Sequence, residues 1–147
     1  MGGHISEIIK EYYDNANIIG CDLVDRGYKD TLVVDFLEHR FDERFDNIVT
    51  NPPYSLAQEF LEKSMNIVKE NGKIAMFLKI QFLEGSKRKE MFKKFPPKYV
   101  YVFSKRQNPW RNGSQVDENG KPWASTMCFA WFIWEKGYKG DTIVKWL

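Results

Sequence analysis

Three short apolar runs, each stopped by a polar residue, constrain this chain more than any other feature. Asn17 to Cys21 stops at Asp22, Leu32 to Val34 stops at Asp35, and Phe45 to Thr50 stops at Asn51. Runs of this length read as strands. Helical patterns alternate with them. Ile5, Ile8, Ile9 and Tyr12 or Tyr13 predict a helix from Ile5 to Tyr13. Leu56, Phe60, Leu61, Met65 and Val68 predict another from Ser55 to Lys69, with Ser55 as its cap and Asn71-Gly72 as its close. Lys73 to Leu78 is a strand and Gly85 to Phe95 a basic helix stopped by Pro96-Pro97. Strands follow at Tyr99 to Phe103, Met127 to Trp134 and, at an edge, Thr142 to Trp146. Such alternation predicts an α/β fold with a mainly parallel sheet. Residues 1–147 fit one domain.

Composition bounds what that domain can do. Hydrophobic residues at 43% and charged residues at 29% suit a folded, soluble core. No stretch is apolar enough to span a membrane, and a cytoplasmic location is expected. Cys21 and Cys128 sit far apart in apolar contexts, as buried, reduced thiols do. No spacing around His4 or His39 suggests a metal. Net charge is only +2, yet Lys87, Arg88, Lys89, Lys93, Lys94, Lys98, Lys105, Arg106 and Arg111 crowd one stretch. Such a run attracts phosphates, although a solvated helix face would look the same.

The chemistry concentrates at Asn51-Pro52-Pro53-Tyr54, directly behind the strand Phe45 to Thr50. In open α/β sheets, ligands bind beyond the carboxyl ends of strands. The Asn51 amide oxygen and the Pro52 carbonyl can both accept from one planar amino group. Held so, its nitrogen lone pair faces a methyl donor, and the charge developing on transfer is stabilised. Tyr54 offers a face for a base, and Pro53 helps Pro52 to stiffen the loop. A plain strand-ending turn is the bland alternative.

Here the sequence resembles the amino-group DNA methyltransferases with an Asn-Pro-Pro-Tyr active site, and in particular the adenine-N6 enzymes of phages and prophages. The resemblance extends to Phe77-Leu78-Lys79, Phe82-Leu83-Glu84-Gly85, Tyr101 to Arg106, Ala130-Trp131-Phe132 and Trp134 to Tyr138. It implies a Rossmann-like S-adenosylmethionine methyltransferase fold, with one antiparallel strand near the C-terminus. It also implies that S-adenosylmethionine is the cofactor and double-stranded DNA the partner. By the same resemblance, Asp22 binds the cofactor's ribose hydroxyls, and Asp35 and Phe36 contact its adenine. Gly2-Gly3-His4 is similar to the end of the cofactor loop, and Asn51 also borders the cofactor.

The family's first strand is missing upstream of Gly2. The strands ending at Asp22 and Thr50 must then pair directly, or another polypeptide fills the gap, or their edges stay exposed. A homodimer or a complementing N-terminal fragment would fill it, and activity would be impaired without one. Residues 105–126 are polar and long for a connection, and they read as a target-recognition loop. Lys105, Arg106, Trp110, Arg111 and Trp123 there suit phosphate contact and base-step insertion, which an adenine leaving the duplex requires. Two other readings share the residues. One is a methyltransferase for a protein glutamine or a ribosomal RNA guanine, because an amide and an aminobase both present a planar amino group. The other is a non-catalytic remnant that binds nucleic acid or a partner chain.

Overall fold

The computed structural model describes residues 4–27, 29, 31–105, 107, 116, 118–121 and 127–147. The chain divides into two compact units, Met1–Asp42 and Glu43–Leu147.

In the first unit, helix α1 spans His4–Tyr12, followed by strands β1 (Gly20–Asp22) and β2 (Thr31–Val33). Both strands are shorter than the apolar runs predict. They pair in parallel, with Gly20 opposite Thr31 and Asp22 opposite Val33. A side chain at residue 20 would come within 3.3 Å of the Thr31 hydroxyl, so glycine permits the close approach. One further bond, from the Val34 amide to the Asp22 carbonyl, continues the pairing past the strand ends.

In the second unit, β3 (Phe45–Thr50) leads through a short 3-10 turn, Tyr54–Leu56, into α2 (Ala57–Ile67). Then come β4 (Val68–Lys79), α3 (Arg88–Lys94), β5 (Tyr99–Val102), β6 (Phe129–Glu135) and β7 (Ile143–Trp146). The sheet order is β3-β4-β6-β5-β7. β3 runs parallel to β4 and β5 parallel to β7, while β6 is antiparallel to both β4 and β5. Four strands therefore point one way and β6 alone points back, which is the expected α/β sheet with one antiparallel strand. β1 pairs with β2, and β3 with β4.

The core lies on one face of the five-stranded sheet. Ile74, Met76 and Leu78 of β4 alternate inward beside Ala130, Phe132 and Trp134 of β6 and Val100 of β5. Ala57, Leu61 and Met65 of α2, with Met91 of α3, cover them. Each large side chain so buried contributes about 1.5–3 kcal/mol. Trp134 also satisfies its indole, which donates to the Phe95 carbonyl at 3.1 Å. The opposite face carries Ala75, Phe77, Lys79, Phe129 and Trp131, one residue out of phase along the same strands.

Three local expectations change. Ser55 does not cap α2: it lies inside the 3-10 turn, and Leu56 stands at the cap position with no side-chain bond. The second proline explains this, because Pro53 accepts from the Leu56 amide at 2.9 Å and winds the chain early. α2 also ends at Ile67 instead of Lys69, and β4 starts at once with Val68. Cys21 and Cys128 are free but half-buried, not fully buried. Among the described residues, no helix is long and apolar enough to cross a membrane.

Candidate active site

The carboxyl end of β3 delivers Asn51 and Pro52 to the loop. Register fixes the place, since Thr50 lies opposite Met76 of β4. Pro52 is buried, whereas Asn51 and Pro53 are exposed. Pro53 holds an extended backbone (φ −55°, ψ 126°) before the chain turns. Its carbonyl is spent on the Leu56 amide. Among the described residues, neither the Asn51 side-chain amide nor the Pro52 carbonyl takes part in a hydrogen bond. Two acceptors on a stiff backbone are thus left open, side by side in sequence.

Tyr54 begins the 3-10 turn and keeps 37% of its surface exposed. Partial burial raises its hydroxyl above the ordinary tyrosine value, so the ring stays neutral at physiological pH. Its ring sits 6.2 Å from that of Phe129 and tilts 43° to it. Phe129 stacks on Phe77 at 5.1 Å, and Phe77 meets Trp131 edge-on at 5.5 Å. The Lys79 ammonium lies 5.0 Å from the centre of the Tyr54 ring. An aromatic row therefore backs Tyr54, with one cation at its end. Sequence reading assigns no role to Phe129 or Lys79. The signal lies in cross-strand register, which sets Lys79 opposite Phe129.

The residues expected to hold a cofactor stand in the other unit, at the carboxyl ends of β1 and β2. Asp22 accepts from the Val24 amide at 3.0 Å and from Arg26 at 2.9 Å. The Arg26 pair is solvent-exposed, with side-chain exposures of 57% and 37%. Exposed pairs of this kind contribute about 0–1 kcal/mol, so a diol could displace the guanidinium at little cost. Next to it, burial and then the Asp22 charge push the Cys21 thiol up, and it stays protonated at neutral pH. Asp35 accepts from the Leu37 amide at 2.8 Å, and its carbonyl accepts from His39 at 2.8 Å, forming a tight turn. The Phe36 ring lies 5.8 Å from Phe41. His4 starts α1. Gly2 and Gly3 lie outside the described residues.

Of the basic stretch, several members have internal work. Lys98 pairs with Glu135 at 2.8 Å, and that hydrogen bond holds its ammonium above the usual lysine value. Lys93 pairs with Glu90, and Arg88 bonds the Glu84 carbonyl. Lys105 is exposed. Arg106, Trp110, Arg111 and Trp123 fall outside the described residues. Among the described residues, no cluster of His, Cys, Asp or Glu could hold a metal ion.

No protein-family model matches the sequence, and no curated protein matches it. Solved structures do resemble the fold. A candidate class I S-adenosylmethionine-dependent methyltransferase from Listeria monocytogenes aligns with a TM-score of 0.64 at 14% identity, over 97% of this chain and 54% of that one. A predicted O-methyltransferase from Agrobacterium tumefaciens gives 0.54 at 14%, over 80% and 52%. A chain from a type I R-M system gives 0.53 at 18%, over 80% and 27%. The chain spans 54% and 52% of the first two of these. Its fold is that of the Rossmann-like S-adenosylmethionine methyltransferases.

Proposed function

We propose that this chain is the catalytic part of an S-adenosylmethionine-dependent methyltransferase acting on the N6 amino group of adenine in DNA. One observation carries the reading: among the described residues, the Asn51 amide and the Pro52 carbonyl stand unbonded at the carboxyl end of β3, next to the half-exposed ring of Tyr54. An adenine stacked on Tyr54 would place its amino group between the two acceptors. Both bonds pull hydrogens into the plane and turn the lone pair outward. The two oxygens also stabilise the positive charge that grows on nitrogen as it gains carbon. The neutral Tyr54 ring adds no opposing charge, and the proton released afterwards leaves towards solvent past the exposed Asn51.

S-adenosylmethionine, when bound, supplies an electrophilic methyl group on a sulfonium, and the reaction leaves a neutral thioether. Asp22 suits its ribose, because a carboxylate accepts from two hydroxyls and its present partner Arg26 is weakly held. Asp35 and Phe36 are assigned to the adenine end, and Gly2, Gly3 and His4 to the loop beside the cofactor. Residues 105–126 are assigned to target recognition, with Lys105, Arg106, Trp110 and Arg111 on the DNA. Replacing Arg106 and Arg111 by alanine should weaken DNA binding and flatten its salt dependence by about two units. Unchanged binding would remove the loop from the proposal. The remaining parts of the reading — phage origin, the cytoplasm, and a second copy or complementing fragment closing the sheet — rest on the sequence alone.

Calorimetric titration with S-adenosylhomocysteine tests the cofactor half. Binding by the wild type that Asp22→Ala weakens at least tenfold is expected, since two charge-assisted bonds are lost. Equal binding by both proteins would refute the role of Asp22.

A further inference from the structure

Lys79 raises a problem that the proposed chemistry has to solve. Its ammonium lies 5.0 Å from the centre of the Tyr54 ring, the ring on which the proposed base would stack. The side chain is half-buried at the end of β4, with Phe129 opposite it across the ladder. Among the described residues, no carboxylate pairs with it. Methyl transfer puts positive charge on the amine. A bare cation close to that amine would oppose the step by Coulomb repulsion, most strongly where water is excluded.

A cation–π contact alone would account for the resting position. It would not account for a cation kept beside an amine that must become positive. The difficulty disappears if the substrate brings its own anion. A nucleotide does, because its phosphate follows the base by a few bonds. A glutamine side chain does not, although its amide would fit the same two acceptors.

We infer that Lys79 is the phosphate-binding residue of the target nucleotide, and that it thereby selects a nucleotide over a protein amide at this site. This rests on the reading of Asn51 to Tyr54 given above. When the base stacks on Tyr54, the ammonium leaves the ring and meets the phosphodiester of the same nucleotide. The cation–π contact is exchanged for a charge-assisted hydrogen bond, which is roughly twice as strong as a neutral one. The reacting amine is relieved of an uncompensated neighbouring charge in the same movement.

The test compares adenosine with deoxyadenosine monophosphate, titrated into the full chain and followed by NMR. No recognition sequence is then needed. The wild type should bind the monophosphate about tenfold more tightly than the nucleoside. Lys79→Met should abolish that preference, and Lys79→Arg should retain it. A folding defect in Lys79→Met would lower both affinities together, and the Arg variant then decides. Equal binding of the two ligands by the wild type, or a preference that survives Lys79→Met, would overturn the role of Lys79 while leaving the adenine reading intact. Binding of neither ligand, with methylation of a glutamine peptide instead, would overturn both.

Discussion

Ser64 shows what a single atom can do in this core. It is fully buried in α2, and among the described residues its hydroxyl finds no hydrogen-bond partner. An unsatisfied buried hydroxyl costs about 1–3 kcal/mol, and alanine is also the better helix former. Ser64→Ala should therefore raise stability by about 1 kcal/mol, seen as a melting temperature higher by about 3 °C. An unchanged or lower melting temperature would show that the hydroxyl is satisfied in solution. Single residues were also the most legible part of the candidate site. Asp22, Asp35 and Asn51 stand out because each ends an apolar run, and a polar residue there faces the ligand-binding edge of a sheet. Lys79 and Phe129 did not stand out. They lie 50 positions apart in sequence, and only the antiparallel register of β4 with β6 brings them level.

At the scale of elements, the join between β3 and β4 is the most demanding piece. β3 advances from Phe45 to Asn47 while its partner advances from Val68 to Lys73, so three extra residues must be absorbed. Asn71 does this with a left-handed backbone (φ 62°), which asparagine tolerates better than most residues. Gly72 then passes under the neighbouring strand. A side chain there would lie 2.7 Å from the Asp46 carbonyl and 2.7 Å from Val68. Both obstacles are in the sheet and the core, so neither can swing away. Gly72→Ala should cost about 1–3 kcal/mol and lower the denaturation midpoint. A neutral result would mean that this stretch of β4 is laxer than its register implies. The sequence marks Asn71-Gly72 as a break but assigns it to a helix end. The physical error is one of context. Asparagine-glycine ends helices and bends strands by the same positive-φ chemistry, and only strand pairing distinguishes the two. The Ser55 cap failed for a related reason: capping preference is local, and the rigid Pro52-Pro53 pair upstream outweighed it.

At the scale of the whole molecule, the alternation of strands and helices was legible because it follows from hydrophobic period alone. The single reversed strand β6 was expected only through the family resemblance, since no period distinguishes parallel from antiparallel. The division into Met1–Asp42 and Glu43–Leu147 was not legible, because no linker composition marks residue 42. The division also separates the residues proposed for the cofactor from those proposed for the base. Asp22 and Asp35 belong to the first unit, and Asn51 to Tyr54 with Lys79 belong to the second. Substitutions at Asp22 should therefore weaken cofactor binding without weakening base binding, and substitutions at Tyr54 the reverse.

The most direct test of the central claim is methyl transfer itself. Purified chain is incubated with DNA and S-adenosylmethionine carrying a labelled methyl group, and the nucleosides are then separated. The account predicts label in N6-methyladenine, and a rate for Asn51→Ala lower by about two to three orders of magnitude, as when one transition-state acceptor is removed. Label in adenine that persists at full rate in Asn51→Ala, or DNA that acquires no label in adenine, would contradict it.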